Sequence, residues 1–356
     1  MVRPADRSRG WWWGGGARRE VALARAALAV GLMLGLARNA TAEPLGEFPT
    51  PAGLAPAVRF WVDIFTRYTG EQAVIHDRLE PWIVYQVVSG GADDVAARVR
   101  VTEERLALTA FAAGAVVVFP PVSAFPQPVE MARVRVQRGM REAFAAALAA
   151  QRLYRPMVER ALRRESLPAA LAALPLVESS YHPAAMSRAG AVGLWQFTRE
   201  TGRRYLKIAG SVDERRDPVR ASDAAARHLR ELREALPSWP LALTAYNRGL
   251  CGVQRARDTI GSDDLGELVT RYRGPGFGFA SRNFYAEFLA ALHVMRHADR
   301  YFPELAPVRM VEYRVRRGDT LYGVARRHGV SLASLRVTNG LRSASLQPGQ
   351  RILIRL

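Results

Sequence analysis

The feature that most constrains the fold is a long block of helical periodicity at residues 134–301. Charged side chains recur there every three or four positions among alanine-rich stretches. Only short turn signals interrupt the block, at residues 187–190, 210–211 and 274–276. This pattern predicts a compact all-α domain, followed by a proline-containing linker at residues 302–311.

The C-terminal residues 312–356 follow a different pattern. Apolar residues alternate at residues 313–315 and again at residues 351–356, as in strands. The two stretches between them, residues 320–327 and 332–337, have helical spacing instead. The sequence therefore predicts a small βααβ unit at this end of the chain, in a single copy.

The first 42 residues have the layout of an export signal. A basic stretch at residues 3–19 precedes an apolar run at residues 21–37, and small residues follow at positions 40–42. We expect cleavage there, with Glu43 as the first mature residue and with no cysteine to carry a lipid. Because Arg25 interrupts the apolar run, an uncleaved membrane anchor stays open as the alternative.

The region between the signal and the helical block has mixed sequence patterns. Residues 43–56 are expected to form a linker, and residues 57–133 an N-terminal extension. Helical spacing at residues 58–68 predicts a helix at its start. The segments at residues 83–88 and 115–119 are strand-like or buried. Neither is long enough for the spacing of its apolar residues to decide its secondary structure.

The charge of the chain calls for an acidic partner. Lysine and arginine outnumber aspartate and glutamate 51 to 33, a formal charge of +18. Nucleic acid, anionic lipid and carboxylate-rich peptides of the bacterial wall would all match this charge. No nucleic-acid reader motif accompanies it. The single cysteine, Cys251, excludes a disulfide-stapled fold.

One carboxylate lies in line with an apolar stripe. Ser166 as N-cap and Pro168 in the first turn predict a helix over residues 167–179. Glu178 then shares a helix face with three leucines, namely Leu167, Leu171 and Leu174. Partial desolvation and the negative helix end would raise the pKa of Glu178 toward the range of a general acid. On spacing alone, a solvated glutamate beyond a core helix is the simpler interpretation.

Short motifs surround this glutamate in a characteristic order. They are Pro175-Leu176-Val177-Glu178-Ser179, His182-Pro183, Ser187, Gly190-Ala191, Gly193-Leu194-Trp195-Gln196-Phe197, Thr201-Gly202-Arg203, Asp217-Pro218, Ala245-Tyr246-Asn247 and, more weakly, residues 283–291. Over residues 134–301 the series resembles the lysozyme-like lytic transglycosylases of the membrane-bound type D group. Upstream, Ile75-His76-Asp77 is similar to the N-terminal extension of that group. The resemblance implies a mainly α, goose-type lysozyme-like catalytic domain.

The resemblance also implies roles for individual residues. Glu178 would be the catalytic acid and base, and Ser179 would line the site. Gln196, Tyr246 and Asn247 would contact the sugar. Taken one by one, the last three are more simply core, cap or turn residues, so their order and spacing relative to Glu178 carry the assignment.

A lone acid fits the reaction that the resemblance implies. Ordinary glycosidases use two carboxylates, but Asp217 precedes Pro218 as a helix N-cap would. Glu178 would protonate the bond between N-acetylmuramic acid (MurNAc) and N-acetylglucosamine (GlcNAc), and then accept a proton from the C6 hydroxyl, which closes a 1,6-anhydro ring. A muramidase that uses water and a non-catalytic glycan-binding protein remain the alternatives. No cofactor or metal is expected, since His293 and His297 lack a third ligand.

Residues 313–354 resemble the LysM domain. The matching positions are Tyr313, Val315, Gly318-Asp319-Thr320-Leu321, Val324-Ala325, Leu335, Asn339, Leu346, Pro348-Gly349-Gln350 and Ile352. LysM units bind GlcNAc-containing glycans through backbone groups of two loops, which implicates Gly318, Asp319, Thr320 and Asn339. Asp319 and Asn339 could equally serve as cap or turn residues. The whole chain is thus expected to act as a monomer on peptidoglycan strands in the periplasm or cell envelope.

The late helix departs from the family pattern. Relatives commonly carry Asn-Tyr-Val where this chain has Asn283, Phe284 and Tyr285. Ungapped alignment places Phe284, which has no hydroxyl, at the family tyrosine. Tyr285 points about 100° away from that position on a helix. We expect Phe284 to pack against the site and Tyr285 to be a neighbouring core or rim residue, and which of the two fills the family position is left open.

Overall fold

The computed structural model describes residues 46–112, 133–305, 310–341 and 343–355. The expected export signal at residues 1–42 and the strand-like segment at residues 115–119 lie outside these residues. Within them, no helix is both long and apolar enough to cross a membrane.

A helix and a small sheet form the N-terminal part. Helix α1 (Ala55–Thr66) begins at a proline-containing first turn and packs its buried face on a late helix of the block. Strands β1 (Gln72–Asp77), β2 (Val84–Ser89) and β3 (Val134–Arg138) make an antiparallel sheet with β1 in the centre. Helix α2 (Ala92–Ala112) contacts β2 and β3.

The prediction that residues 134–164 are all helical was wrong at their start. Residues 134–138 form β3, which pairs with β1 through a register that includes Val74 opposite Gln137. The helix α3 (Arg141–Arg164) begins only after this strand. The backbone groups along one edge of β1 pair with residues 134–138. The spacing of apolar residues within such a short segment cannot reveal a partner so distant in sequence. The sheet therefore joins the expected N-terminal extension to the expected catalytic block.

Helices build the remainder of the block around a common core with α1. They are α4 (Leu174–Ser179), α5 (Arg199–Arg203), α6 (Pro218–Ala235), α7 (Trp239–Arg248), α8 (Leu250–Ile260), α9 (Leu265–Arg271), α10 (Phe279–Arg296) and α11 (Ala298–Tyr301). The short strands β4 (Ile208–Ala209) and β5 (Val212–Asp213) form a hairpin before α6. Helix α10 is central: it packs against α1, α4 and α7.

The segment before Glu178 differs from the predicted single helix. Ser166 has φ of +56° and its N–H bonds to the carbonyl of Arg163, so it closes α3 rather than capping a new helix. A 3₁₀ segment (Ala169–Ala173) follows, and only then α4. The N-cap prediction for Ser166 was therefore wrong, because the left-handed conformation here terminates the preceding helix.

The C-terminal unit has the predicted order of elements. Strands β6 (Met310–Arg314) and β7 (Arg351–Arg355) pair antiparallel, and helices α12 (Leu321–Arg327) and α13 (Leu332–Asn339) lie between them in sequence. A small separate core holds these elements together. Helix α13 also contacts α3: the Thr338 hydroxyl donates to the carbonyl of Leu153 at 3.3 Å.

Candidate active site

Glu178 lies one residue before the end of α4, with a partly buried side chain. The next residue, Ser179, is buried, and its hydroxyl donates to the carbonyl of Leu194 at 2.8 Å. Ser180 and Tyr181 then take left-handed conformations, with φ of +52° and +58°. Two consecutive non-glycine residues of this kind are unusual and cluster at functional sites. They turn the chain sharply away just after Glu178.

The turn at residues 185–197 faces the end of α4. Two isolated bridges shape it, since Val192 pairs with both Met186 and Phe197. Gly193 has φ of +83°, and a Cβ at this position would lie 2.0 Å from the carbonyl oxygen of Arg215. Only glycine satisfies both the conformation and the close approach. The turn therefore depends on this one residue for its contact with the segment before α6.

Arg215 fixes the turn from the other side. Its buried guanidinium forms a bidentate pair with Asp213, at 2.9 and 2.7 Å. The same side chain donates to the carbonyls of Gly190 and Phe197, at 3.0 and 3.1 Å. Sequence reasoning missed this residue, because nothing in the local pattern distinguishes it from the other arginines of the chain. The pairing shows only in three dimensions.

Gln196 and Trp195 have different environments in the turn. Gln196 is buried with φ of +47°, and its amide nitrogen donates to the carbonyl of Gly193 at 2.9 Å. Its buried side-chain oxygen has no hydrogen-bond partner among the described residues. Trp195 is fully buried and donates to the hydroxyl of Ser222 at 2.8 Å, so its ring is part of the core. The unsatisfied oxygen of Gln196 is a group that a polar ligand could use.

Helix α7 brings Tyr246 and Asn247 to the same region. The Tyr246 hydroxyl donates to the carbonyl of Trp195 at 2.7 Å. Burial raises the pKa of Tyr246 well above its usual value, and the nearby carboxylate of Glu178 raises it further. Asn247 accepts a hydrogen bond from Ser281 at 3.3 Å, which ties α7 to the start of α10. Tyr246 thus lies beside the predicted acid and stays protonated at neutral pH.

A buried histidine adjoins this tyrosine. The rings of His228 and Tyr246 are 5.5 Å apart, and Nδ1 of His228 is 3.1 Å from the hydroxyl of Tyr205. Burial lowers the pKa of His228 to about 4, with a smaller contribution from Arg204. The imidazole is therefore neutral at neutral pH. No sequence motif had marked His228, which lies on α6, as a residue close to Tyr246.

Three acids between the end of β5 and the start of α6 hold structural contacts. Asp217 caps α6, accepting from the N–H groups of Val219 and Arg220 at 2.9 and 3.1 Å, which confirms the N-cap prediction. Asp213 is bound by Arg215, whose hydrogen bond holds the pKa of Asp213 below its usual value. Glu214 accepts from the N–H of Lys207 at 2.8 Å. These contacts give all three carboxylates a structural use and none a place as a second catalytic carboxylate.

The hydroxyl of Tyr285 on α10 binds a residue of the N-terminal part of the chain. It is 1% exposed, and its hydroxyl donates to the carbonyl of Pro49 at 2.8 Å. That contact anchors the segment before α1 on α10. The Tyr285 hydroxyl therefore stabilises the packing of the N-terminal segment on α10. Phe284, the preceding residue, is also buried in the main core.

Tyr285→Phe is expected to change the rate of glycan cleavage by less than about tenfold, which is under about 1.4 kcal/mol of transition-state stabilisation. The reason is that the lost hydroxyl contacts Pro49 rather than the site. Steady-state kinetics on wild-type and variant enzyme measure this, with circular dichroism as the folding control. A hundredfold loss in a folded variant would show that Tyr285 supplies a catalytic hydroxyl.

The four predicted glycan-contact residues of the C-terminal unit also shape its loops. Asp319 accepts from the hydroxyl of Tyr313 and the N–H of Arg316, both at 2.7 Å, and Thr320 caps α12. Asn339 is buried and clamps α13 to β7, exchanging two 2.7 Å hydrogen bonds with Leu353. Cap and turn roles are thus present at Asp319 and Asn339. Gly318 has a left-handed conformation, with φ of +88°. The backbone groups of its loop stay the candidate glycan contacts.

The residues that the structure describes hold no cluster of three or more histidine, cysteine or acidic side chains that could bind a metal ion. His293 instead lies 2.9 Å from the hydroxyl of Tyr301, and His297 contacts the backbone carbonyl of His293 at 2.9 Å. Cys251 is an exposed free thiol.

Two families match separate parts of the chain. Residues 155–265 match the Transglycosylase SLT domain, and residues 313–355 match the LysM domain. These matches confirm the domain resemblances inferred from the motifs. The first includes Glu178, Gln196 and Tyr246, and the second includes all four candidate residues of the C-terminal unit.

Known proteins share parts of the sequence. Membrane-bound lytic murein transglycosylase D of Escherichia coli (strain K12) is 31% identical over 149 residues, which cover 39% of this chain and 31% of that protein. The putative tributyltin chloride resistance protein of Alteromonas sp. (strain M-1) is 32% identical over 101 residues, 28% of this chain and 49% of that protein. The chain thus spans about a third of the length of the E. coli relative.

A solved structure also resembles part of the chain. An inactive mutant of the lytic transglycosylase Slt from Pseudomonas aeruginosa aligns with a TM-score of 0.33 and 18% identity, covering 42% of this chain and 24% of that one. The relationship to transglycosylases rests on the sequence matches.

Proposed function

We propose that this protein is a peptidoglycan lytic transglycosylase that cleaves the MurNAc-β-1,4-GlcNAc bond and leaves 1,6-anhydro ends. The observation that carries the proposal is the placement of Glu178. It lies partly buried at the end of α4, electrostatically coupled to Tyr246 and next to the turn that holds Gln196. The acids Asp213 and Asp217 hold structural contacts: Asp213 binds Arg215, and Asp217 caps α6.

The proposed reaction uses one group in two steps. Glu178 first donates its proton to the glycosidic oxygen, so that the GlcNAc leaving group departs as an alcohol. The resulting carboxylate then accepts the proton of the MurNAc C6 hydroxyl, whose oxygen bonds to the anomeric carbon. Because the nucleophile belongs to the substrate, no second carboxylate is needed to activate water.

The surrounding residues are proposed to position the sugar. The unsatisfied side-chain oxygen of Gln196 can accept a hydrogen bond from a substrate N–H or hydroxyl group. The Asn247 amide nitrogen can donate to the sugar, since its oxygen is bound to Ser281. Ser179 and Tyr246 act indirectly. The Ser179 hydroxyl binds the carbonyl of Leu194 and holds the turn against α4, and the Tyr246 hydroxyl binds the carbonyl of Trp195 and holds the turn against α7.

A turbidity assay tests the enzymatic proposal. Purified sacculi incubated with the protein are expected to lose turbidity as soluble fragments are released. Persistence of turbidity at a protein concentration that binds the sacculi would favour the non-catalytic glycan-binding alternative. An export signal would deliver the enzyme to the cell envelope, where we propose that it acts as a monomer on peptidoglycan strands.

Deleting residues 308–356 is expected to preserve cleavage of soluble glycan fragments but weaken sedimentation with sacculi by about tenfold or more. The C-terminal unit would hold the enzyme near its polymer and raise the effective substrate concentration. Cosedimentation and fragment kinetics are compared for both forms. Since the deletion uncovers the α3 surface at Leu153, a thermal melt is the folding control. If the truncated protein folds and sediments with sacculi as the full chain does, the C-terminal unit does not contribute to substrate binding.

A further inference from the structure

The C-terminal unit rests on helix α3 of the helical block through the end of α13. The Thr338 hydroxyl donates to the carbonyl of Leu153 at 3.3 Å, and the Arg160 guanidinium donates to the backbone carbonyl of Asn339. We call this the docking contact. We propose that α3 covers one half of the candidate glycan-binding surface of the unit, so that docking and full glycan binding exclude each other. The proposal rests on the glycan-binding role proposed for the unit above.

Arg160 completes the hydrogen bonding at the C-terminal end of α13. Gly340 has the left-handed conformation that ends the helix, with φ of +60°, and its N–H bonds to the carbonyls of Arg336 and Val337. The Asn339 carbonyl lies beyond these two, among the last four carbonyls of a helix, which have no helical N–H partner. The guanidinium also lies at the negative end of the helix dipole. The docking contact therefore occupies a backbone group that a ligand could otherwise use.

The side chain of Asn339 is already occupied by the fold of the C-terminal unit. Its amide nitrogen donates to the carbonyls of Leu335 and Leu353, at 2.9 and 2.7 Å. Its side-chain oxygen accepts from the N–H of Leu353 at 2.7 Å. The backbone carbonyl is thus the oxygen of Asn339 best placed to contact a glycan, and backbone groups are what the LysM resemblance implicates. In the docked state Arg160 binds that carbonyl.

The two halves of the candidate glycan-binding surface differ in the space around them. A Cβ built on Gly340 would lie 2.8 Å from Nη1 of Arg160 and 3.4 Å from Cγ of Met157. A sugar ring is larger than one carbon atom, so it cannot lie against this side of Gly340 while the docking contact is formed. A Cβ built on Gly318, in the other loop, would meet no atom of the described residues within 4 Å. The Gly318 half is therefore open, and the Gly340 half is covered.

Separate cores allow the C-terminal unit to leave α3 intact. The unit has its own apolar core, and the chain between α11 and β6 joins it to the helical block. Docking and glycan binding then form two linked equilibria. The apparent glycan affinity is lowered by the docked fraction of the molecules, and a bound glycan weakens docking by the same factor by which docking weakens glycan binding.

A reversible disulfide across the docking contact tests this competition. The variant is Met157→Cys/Gly340→Cys with Cys251→Ser, which removes the exposed free thiol. Because a Cβ at position 340 would lie 3.4 Å from Cγ of residue 157, a small adjustment brings the two sulfurs within bonding distance. Glutathione disulfide forms the bond, dithiothreitol reduces it, and mass spectrometry of peptides verifies each state.

The probe is a β-1,4-linked tetrasaccharide of GlcNAc, which contains no MurNAc and is not a substrate of the proposed reaction. Calorimetry is expected to show binding about tenfold weaker for the oxidised form than for the reduced form of the same protein. The chain lacking residues 308–356 gives the binding of the helical block alone, which is subtracted. The probe is also expected to slow disulfide formation.

Arg160→Ala is expected to bind the probe at least about threefold more tightly than the wild type, because fewer molecules are docked. Misfolding would lower the affinity rather than raise it. The matched control is Arg163→Ala, which removes the same charge from an exposed position three residues further along α3. Since the probe is uncharged, the control is expected to keep the wild-type affinity.

Several outcomes would overturn the inference. Equal affinity of the oxidised and reduced forms would show that a docked unit binds glycan fully. Tighter binding by the oxidised form would show that α3 is part of the glycan site. An unchanged affinity of Arg160→Ala, or an equal gain in the control, would also contradict it. Absence of binding in every form would refute both the inference and the glycan-binding role of the unit, whereas the turbidity assay tests the proposed cleavage separately.

Discussion

Glu178→Gln is expected to lower the turnover of glycan strands by at least about 10², the usual loss when general acid-base help is removed. The amide keeps the shape of the side chain at the end of α4 but can neither donate nor accept the proton of the reaction. Folding and glycan binding should be unchanged, so the loss falls on kcat rather than on binding. Release of soluble fragments from sacculi measures the rate.

The control for this variant is the same chemical change at a remote acid. Glu234→Gln alters an exposed residue of α6 and is expected to keep the wild-type rate. Thermal melts and cosedimentation with sacculi establish that both proteins fold and bind. A Glu178→Gln enzyme that retained more than about a tenth of wild-type activity would contradict the assignment of Glu178 as the acid and base.

Gly193→Ala is expected to lower the free energy of unfolding by on the order of 3 kcal/mol or more, since it combines steric overlap with an unfavourable backbone conformation. The added Cβ would lie 2.0 Å from the carbonyl oxygen of Arg215. Relief of that overlap would shift the turn that holds Gln196 and Leu194. Activity is therefore expected to fall together with stability, which urea denaturation measures.

Gly190→Ala separates the two contributions. Gly190 has φ of +75°, close to the +83° of Gly193, but a Cβ there would meet nothing within 4 Å. This control is expected to cost only about 1 kcal/mol, the usual penalty for a left-handed non-glycine residue. Equal stability losses for the two variants would contradict the role assigned to the contact between Gly193 and Arg215.

The parts of the fold that were predictable from sequence are those with local signals. Asp217 followed by a proline predicted the start of α6, and alternating apolar residues predicted β6 and β7. Strand β3 was missed because its partner β1 lies about 60 residues earlier and the strand leads almost directly into α3. Ser166 was misassigned because the end of one helix and the start of the next use the same polar residue types.

The candidate site was predictable to a smaller extent. Spacing alone placed Glu178 on an apolar face, and only the family resemblance gave it a chemical role. The structural uses of the hydroxyl of Ser179 and of the amide of Asn339 could not be predicted, because their partners Leu194 and Leu353 are backbone groups brought near by the fold. The contribution of Arg215 was hidden for the same reason.

The most direct test of the central claim is mass spectrometry of the soluble fragments that the wild-type enzyme releases from purified sacculi. A transglycosylase that uses Glu178 alone predicts fragments ending in 1,6-anhydro-MurNAc, each lighter by one water than the hydrolytic product. Addition of a reducing agent should leave these ends unchanged. Fragments with ordinary reducing ends would contradict the account, because they would show that water is the nucleophile and that the enzyme is a muramidase.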